Sequence, residues 1–201
     1  MTEPQEVIIS ITSRCNLKCR MCDIPLTRQE EQPTAVWEEV IEDALSLGAR
    51  TVVFSGGEPL LRPDLPDLIA CVRNKGMQAC VTSNGLLIDK DMALTLAQSG
   101  VGVVNISVEG TRQTHDFLRG EGSFQKALEA LTHLKDNGIE STVAVMVSVY
   151  NFRELKSIVE LAREYKATTV KFQPFSSLFL KDASGSATFL VPPADLRELT
   201  R

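Results

Sequence analysis

No stretch of this 201-residue chain approaches the roughly 18 consecutive apolar residues that span a bilayer. The first residues, MTEPQEV, are acidic and lack the apolar core of a secretory signal. A cytoplasmic setting is therefore expected. Basic residues form no stripe: 21 Lys and Arg face 26 Asp and Glu, for a net charge of −5. Nucleic acid is accordingly not an expected partner. Low-complexity segments are absent, and 43% hydrophobic with 23% charged residues is a globular composition that excludes disorder. The length predicts one domain with a real core. Histidine is scarce: neither His115 nor His133 stands near a cysteine in sequence. No cysteine follows Cys80, and the odd total of five, three of them clustered, points to metal rather than to a disulfide framework.

What is present is a dense thiol cluster, C-N-L-K-C-R-M-C, placing Cys15, Cys19 and Cys22 within eight residues. A fold has no need of three thiols so close together, whereas an iron–sulfur cluster does, because thiolates are its usual ligands. A ferredoxin run would supply a fourth cysteine, and structural zinc would want four ligands, commonly in two C-x2-C pairs. The spacing C-x3-C-x2-C points to a [4Fe-4S] cluster with one iron lacking a protein ligand. Zinc with a distant fourth ligand is the alternative. Arg14, Lys18 and Arg20 lie among the cysteines, where their charge would tune the cluster.

Around this cluster, short β-branched runs alternate with amphipathic stretches. Strands are expected at Val7–Thr12, Thr51–Phe54, Gln78–Thr82, Gly102–Val108, Ser141–Val149 and Thr169–Gln173. Helices are expected at Thr34–Leu47, stopped by Gly48, at Pro63–Lys75, stopped by Gly76, and at Asp89–Ser99, stopped by Gly100. Two more are capped by Ser123, ending at Gly138, and by Asn151. Repeated βα units without hairpin signals predict a parallel α/β sheet. The strands read as nearly continuous apolar runs, as when both faces are covered. The pattern leaves two closures open: a doubly wound sheet or a curved partial barrel. Either places ligands at the C-terminal strand ends. Lys181–Ala187 reads as a polar, mobile loop. Val191–Leu196 opens a helix with Leu196 and Leu199 on its face, and the chain is expected to be cut short in or after this sixth helix.

Those strand ends hold the unusual residues: Ser55-Gly56-Gly57-Glu58-Pro59 after the second strand, Ser83-Asn84-Gly85 after the third, Ser107-Val108-Glu109-Gly110 after the fourth. Two glycines let backbone approach a ligand, and the adjacent carboxylate can accept from an amine. The plainer reading is a βα turn. Cys71 and Cys80 read as buried free thiols. His133 reads as solvated, and His115 and Asp116 as loop-shaping or substrate-facing. Tyr150 and Phe175 read as pocket wall or core, and Trp37 as packing. Glu38, Glu39, Glu42 and Asp43 form a solvated helical face.

The pair C-N-L-K-C-R-M-C and F-S-G-G-E-P-L-L resembles the radical S-adenosylmethionine (SAM) superfamily. The stretch I-S-V-E-G-T-R-Q-T-H-D-F-L-R-G is similar to one shared by its cofactor- and peptide-maturase (SPASM-type) branch. The likeness runs from about Val7 to Pro174. It implies a partial (βα)6 TIM-like barrel of parallel strands with Cys15, Cys19 and Cys22 holding the cluster. Gly56, Gly57 and Glu58 would hold the SAM amino group. Ser107 and Glu109 would lie near its ribose and carboxylate, Arg119 would take the carboxylate, and Asn84 would face the cofactor. Met21 stands where the family usually has an aromatic residue, and Glu109 where relatives often have Asp.

The implied activity is reductive cleavage of SAM to a 5′-deoxyadenosyl radical that takes hydrogen from a substrate, a peptide or cofactor precursor. An external one-electron reductant of flavodoxin or ferredoxin type would be the partner. The alternatives are an activase acting on a partner protein and a non-catalytic zinc or iron–sulfur domain. The resemblance assigns residues 1–201 to one core domain. A C-terminal auxiliary domain with further clusters, which relatives carry, is expected to be absent from this chain.

Overall fold

A computed structural model describes residues 5–177, 180, 188–192 and 195. Six strands alternate with helices: β1 (Glu6–Thr12), β2 (Thr51–Gly56), β3 (Gln78–Ser83), β4 (Val103–Ser107), β5 (Glu140–Val147) and β6 (Thr169–Pro174). All pair in parallel, in sequential order from β1 to β6. A doubly wound sheet requires a reversal of strand order, so that closure is excluded. Crossovers of one hand that always step the same way place every helix on one side of the sheet. The result is a partial (βα)6 barrel, left open between β1 and β6.

The helical layer consists of α1 (Ile24–Thr27), α2 (Thr34–Ser46), α3 (Leu65–Asn74), α4 (Lys90–Ser99), α5 (Arg112–Arg119), α6 (Ser123–Asp136) and α7 (Leu155–Glu164). Their ends follow local chemistry. The Asp89 carboxylate accepts the Met92 N–H at 2.8 Å and starts α4, and Gly100, at φ 83°, ends it. Two expected caps differ. Ser123 is the first residue of α6, and the carboxylate of Asp116 receives the Phe124 N–H at 2.8 Å. Asn151 lies before α7, whose N-cap is Glu154. The short helix α5 is absent from the periodicity reading.

The core lies between the outer face of the sheet and the helices. Ile11, Phe54, Val81 and Ile106 meet Ile41, Leu68, Leu96 and Leu131 there, all buried. The opposite face carries Thr51, Ser55, Gln78, Thr82, Asn105, Thr142, Thr169 and Lys171 around a cavity. The strands therefore alternate, apolar toward the helices and largely polar inward, rather than running apolar on both faces. The expected loop Lys181–Ala187, and Leu196 and Leu199 of the last expected helix, lie outside the described residues.

Candidate cluster and cofactor site

The cysteines sit on the loop after β1, and that loop is anchored at both ends. On one side the Gly57 N–H donates to the Thr12 carbonyl at 2.7 Å and the Glu58 N–H to the Arg14 carbonyl at 2.8 Å. A Cβ on Gly56 would collide with the Thr12 carbonyl, and one on Gly57 with the Arg14 carbonyl. What the two glycines admit is thus the chain's own cysteine loop. On the other side the Arg20 N–H donates to the Leu118 carbonyl at 2.8 Å, and Arg20 Nε donates to the Phe117 carbonyl at 2.7 Å. Arg14 likewise reaches the Leu61 carbonyl and Glu31. These basic side chains tie down the loop.

The three thiols are half-buried, and all three line a cavity of about 600 Å3. Burial pushes each above its ordinary value, Cys19 up to about 11, while the nearby Arg119 charge works the other way. The Leu17 N–H points at Cys15 Sγ (3.5 Å), and Asn84 Nδ2 lies 3.9 Å from it. Three cysteine sulfurs beside a fixed cation, with N–H donors aimed at sulfur, suit an anionic thiolate-held cluster. Among the described residues no three His, Cys, Asp or Glu side chains converge to hold one metal ion. A four-iron cube presents separate irons to separate thiolates and does not require such convergence.

Gly56, Gly57, Asn84, Ser107, Glu109 and Arg119 line the same cavity. Asn84 Nδ2 donates to Asn16 Oδ1 at 2.7 Å, linking the third strand end to the cysteine loop. Glu58 is fully buried and not part of the cavity wall. Its carboxylate accepts from Ser83 Oγ (2.9 Å), the Asn84 N–H (2.8 Å) and the Leu60 N–H (3.3 Å). Burial raises its pKa against those donors. Glu58 therefore staples the end of β2 to the end of β3.

Glu109 is also fully buried. Its Oε1 accepts from Arg119 Nε (2.9 Å) and Nη2 (2.5 Å), and its Oε2 from the Met146 N–H (2.8 Å). Burial works against the Arg119 charge, but Glu109 and the thiols outweigh it and hold the guanidinium charged. The cavity thus meets Arg119 on a carboxylate mount. Met21 packs on Leu118, Phe175 and Phe189 and forms part of the wall.

Several residues behave differently from their sequence reading. Asp116 holds the start of α6. His115 is fully buried and accepts the Glu109 N–H at Nδ1 (3.1 Å), and among the described residues its Nε2 has no partner. An unpaired buried donor of that kind costs about 1–3 kcal/mol. His133 and Cys71 are half-buried, while Cys80 is a buried free thiol as expected, on the cavity wall. Tyr150 is exposed and sits between Phe117 and Phe189 in tilted ring contacts. Trp37 packs on the core as expected, and the acidic face of α2 is exposed. Asn151 and Glu154 are site residues missed in sequence. Their partners are backbone groups 40 or so residues away, which no local pattern announces.

A six-stranded parallel partial barrel with three thiols lining a cavity at its C-terminal mouth is the class that fold and site define. Residues 9–162 match the family model described as the Radical SAM superfamily, and the chain belongs to that superfamily. It is 38% identical over 172 residues to Fe-coproporphyrin III synthase of Methanosarcina barkeri, covering 83% of this chain and 43% of that protein. It is 30% identical over 173 residues to PqqA peptide cyclase of Gluconobacter oxydans, covering 84% and 48%. Streptococcus suis SuiB bound to precursor peptide SuiA superposes with TM-score 0.82 at 21% identity, covering 98% of this chain and 44% of SuiB. The chain spans about half the length of the curated relatives it matches. These relatives agree with the maturase branch expected from the motifs.

Proposed function

We propose that the chain is a radical SAM catalytic core that holds a [4Fe-4S] cluster through Cys15, Cys19 and Cys22. The observation that carries this reading is the trio of half-buried thiols sharing one cavity with the mounted Arg119. Bound there, the cluster and SAM would supply radical chemistry for hydrogen abstraction from a substrate. The residues of this chain bind and orient. Arg119 would take the SAM carboxylate, and the backbone at Gly56 and Gly57 would receive the amino group. Glu58 acts by holding that turn, and Asn84 and Ser107 offer polar contacts on the adjoining strand ends. Glu109 acts through Arg119. The cavity carries an apolar patch at Ile8, Val53 and Val103 below its polar belt.

The substrate class we favour is a cofactor precursor, supported by the 38% identity to a protein named for an iron coproporphyrin. A peptide, the class named for PqqA peptide cyclase, is the other outcome of the test. A flavodoxin- or ferredoxin-type reductant would supply the electron. Among the described residues no helix is long and apolar enough to cross a membrane, and all five cysteines are free, which fits work in a reducing cytoplasm.

Anaerobic reconstitution tests this. About four irons per chain, with 5′-deoxyadenosine released from SAM after dithionite reduction, is the expected result. Cys19→Ala should lose both iron and cleavage, whereas Cys71→Ser should keep them. One tightly held zinc and no cleavage would sink the reading. Deuterium carried from a labelled precursor or peptide into 5′-deoxyadenosine then decides the substrate class.

A further inference from the structure

Glu109 is the hub of the mouth. Its carboxylate is spent on Arg119 and on the Met146 N–H. Its backbone is held just as firmly. His115 Nδ1 accepts the Glu109 N–H at 3.1 Å from within α5. From the opposite side Asn151 Nδ2 donates to the Glu109 carbonyl at 2.8 Å, and also to the Met146 carbonyl at 2.9 Å. Asn151 is itself fixed, its Oδ1 accepting the Ser148 N–H at 2.7 Å. His115 and Asn151 are both fully buried.

A stability argument alone does not explain His115. It packs edge-on against Phe124, as a phenylalanine could, yet it leaves Nε2 buried without a partner. Among the described residues, the Glu109 N–H is the one polar contact of its ring. Because Nδ1 accepts, the proton must sit on Nε2, and burial keeps the ring neutral. One helical turn further on, the same helix carries Arg119. The start of that helix is held as well: the Glu154 carboxylate accepts from the Thr111 N–H (2.7 Å) and Thr114 Oγ1 (2.6 Å).

We infer that His115 and Asn151 are positioning residues that grip both backbone groups of Glu109 and so aim the guanidinium of Arg119 at an anionic group of the cofactor. This rests on the reading of the cavity as the SAM site. Neither residue lines the cavity; each acts through Glu109.

The test uses the reconstituted chain with SAM as the probe, measured by equilibrium dialysis. His115→Phe keeps the ring packing and removes the acceptor. It should raise the SAM dissociation constant roughly three- to tenfold, the ratio one ordinary hydrogen bond commands, with iron content unchanged. His115→Asn places an amide oxygen where Nδ1 stood and should recover most of the affinity. Asn151→Ala should shift affinity in the same direction as His115→Phe. In the cluster-free chain, hydrogen exchange at the Glu109 amide should quicken in His115→Phe and slow again in His115→Asn. Unchanged exchange would show that no grip exists. Faster exchange with unaltered SAM affinity would show that the grip does not serve the cofactor. Either outcome overturns the inference while leaving the SAM site intact. Failure of the unaltered chain to bind SAM instead overturns the functional reading, and with it the use assigned to these residues.

Discussion

Gly57 shows how a single missing side chain governs the site. The Arg14 carbonyl occupies the space where its Cβ would stand, so Gly57→Ala must push the cysteine loop off the end of β2. Destabilisation of about 2 kcal/mol or more is expected, with reduced iron uptake. Gly76→Ala, with open space around it but φ of 79°, should cost only about 1 kcal/mol and leave iron uptake alone. Urea midpoints and iron content per chain check both. The motif was legible in sequence, but its reason was not. Two glycines at a strand end suggest room for a ligand, and only the fold reveals the backbone of a distant loop in that room. His115 offers a second prediction. Burial, reinforced by the Arg119 charge and opposed by Asp116, lowers it to about 3. The unfolded chain binds this proton below about pH 6.5, while the folded chain refuses it until near 3. Stability is thus present above pH 6.5 and lost as pH falls, by about 1.4 kcal/mol per unit from this residue. His115→Phe should lack that slope, so urea titrations of the cluster-free protein at pH 7 and pH 5 should diverge between the two. Parallel curves would contradict a neutral buried ring.

At the scale of elements, α5 matters most and was least visible. Its sequence, RQTHDFLR, buries only His115 and Leu118, too few apolar positions to write a helical stripe. It forms because Glu154 closes its start, and because its end lies on the Arg20 contacts with the Phe117 and Leu118 carbonyls. Helix α6 was legible because it buries a whole face, and α2 because Trp37, Val40, Ile41, Ala44 and Leu45 recur at helical spacing against the core. The next helix is tied to α5 by Asp116, which stands in for the side-chain cap that Gly122 cannot supply. Asp116→Ala should therefore cost about 1 kcal/mol, the usual worth of an N-cap, read as a lowered melting temperature. If Asp116 instead touched substrate, that variant would keep its stability and lose turnover.

Across the whole molecule, strand order separates a barrel from a doubly wound sheet, and that order is a property of pairing between distant segments. The sequence carried βα alternation but no record of which strand lies beside which. It did carry the two faces, in a form easily overlooked. Valine and isoleucine are frequent enough in each strand to read as one apolar run, yet Ser, Thr, Asn and Gln recur at alternate positions. Register brings Thr82, Asn105, Thr142 and Thr169 to one level across four strands, all on the cavity wall. Exchanges between valine and threonine should therefore cost unequally at adjacent residues of one strand. Val143 is fully buried against the helical layer. Val143→Thr would put a hydroxyl among apolar side chains, at a cost of about 1–3 kcal/mol. Thr142 faces the cavity, and Thr142→Val should change stability by less than about 1 kcal/mol while removing a hydrogen-bonding group from the belt. Urea unfolding of the two variants measures the contrast. Equal losses would mean that the sheet is covered on both faces, and the inner belt could then not be the wall of a substrate cavity.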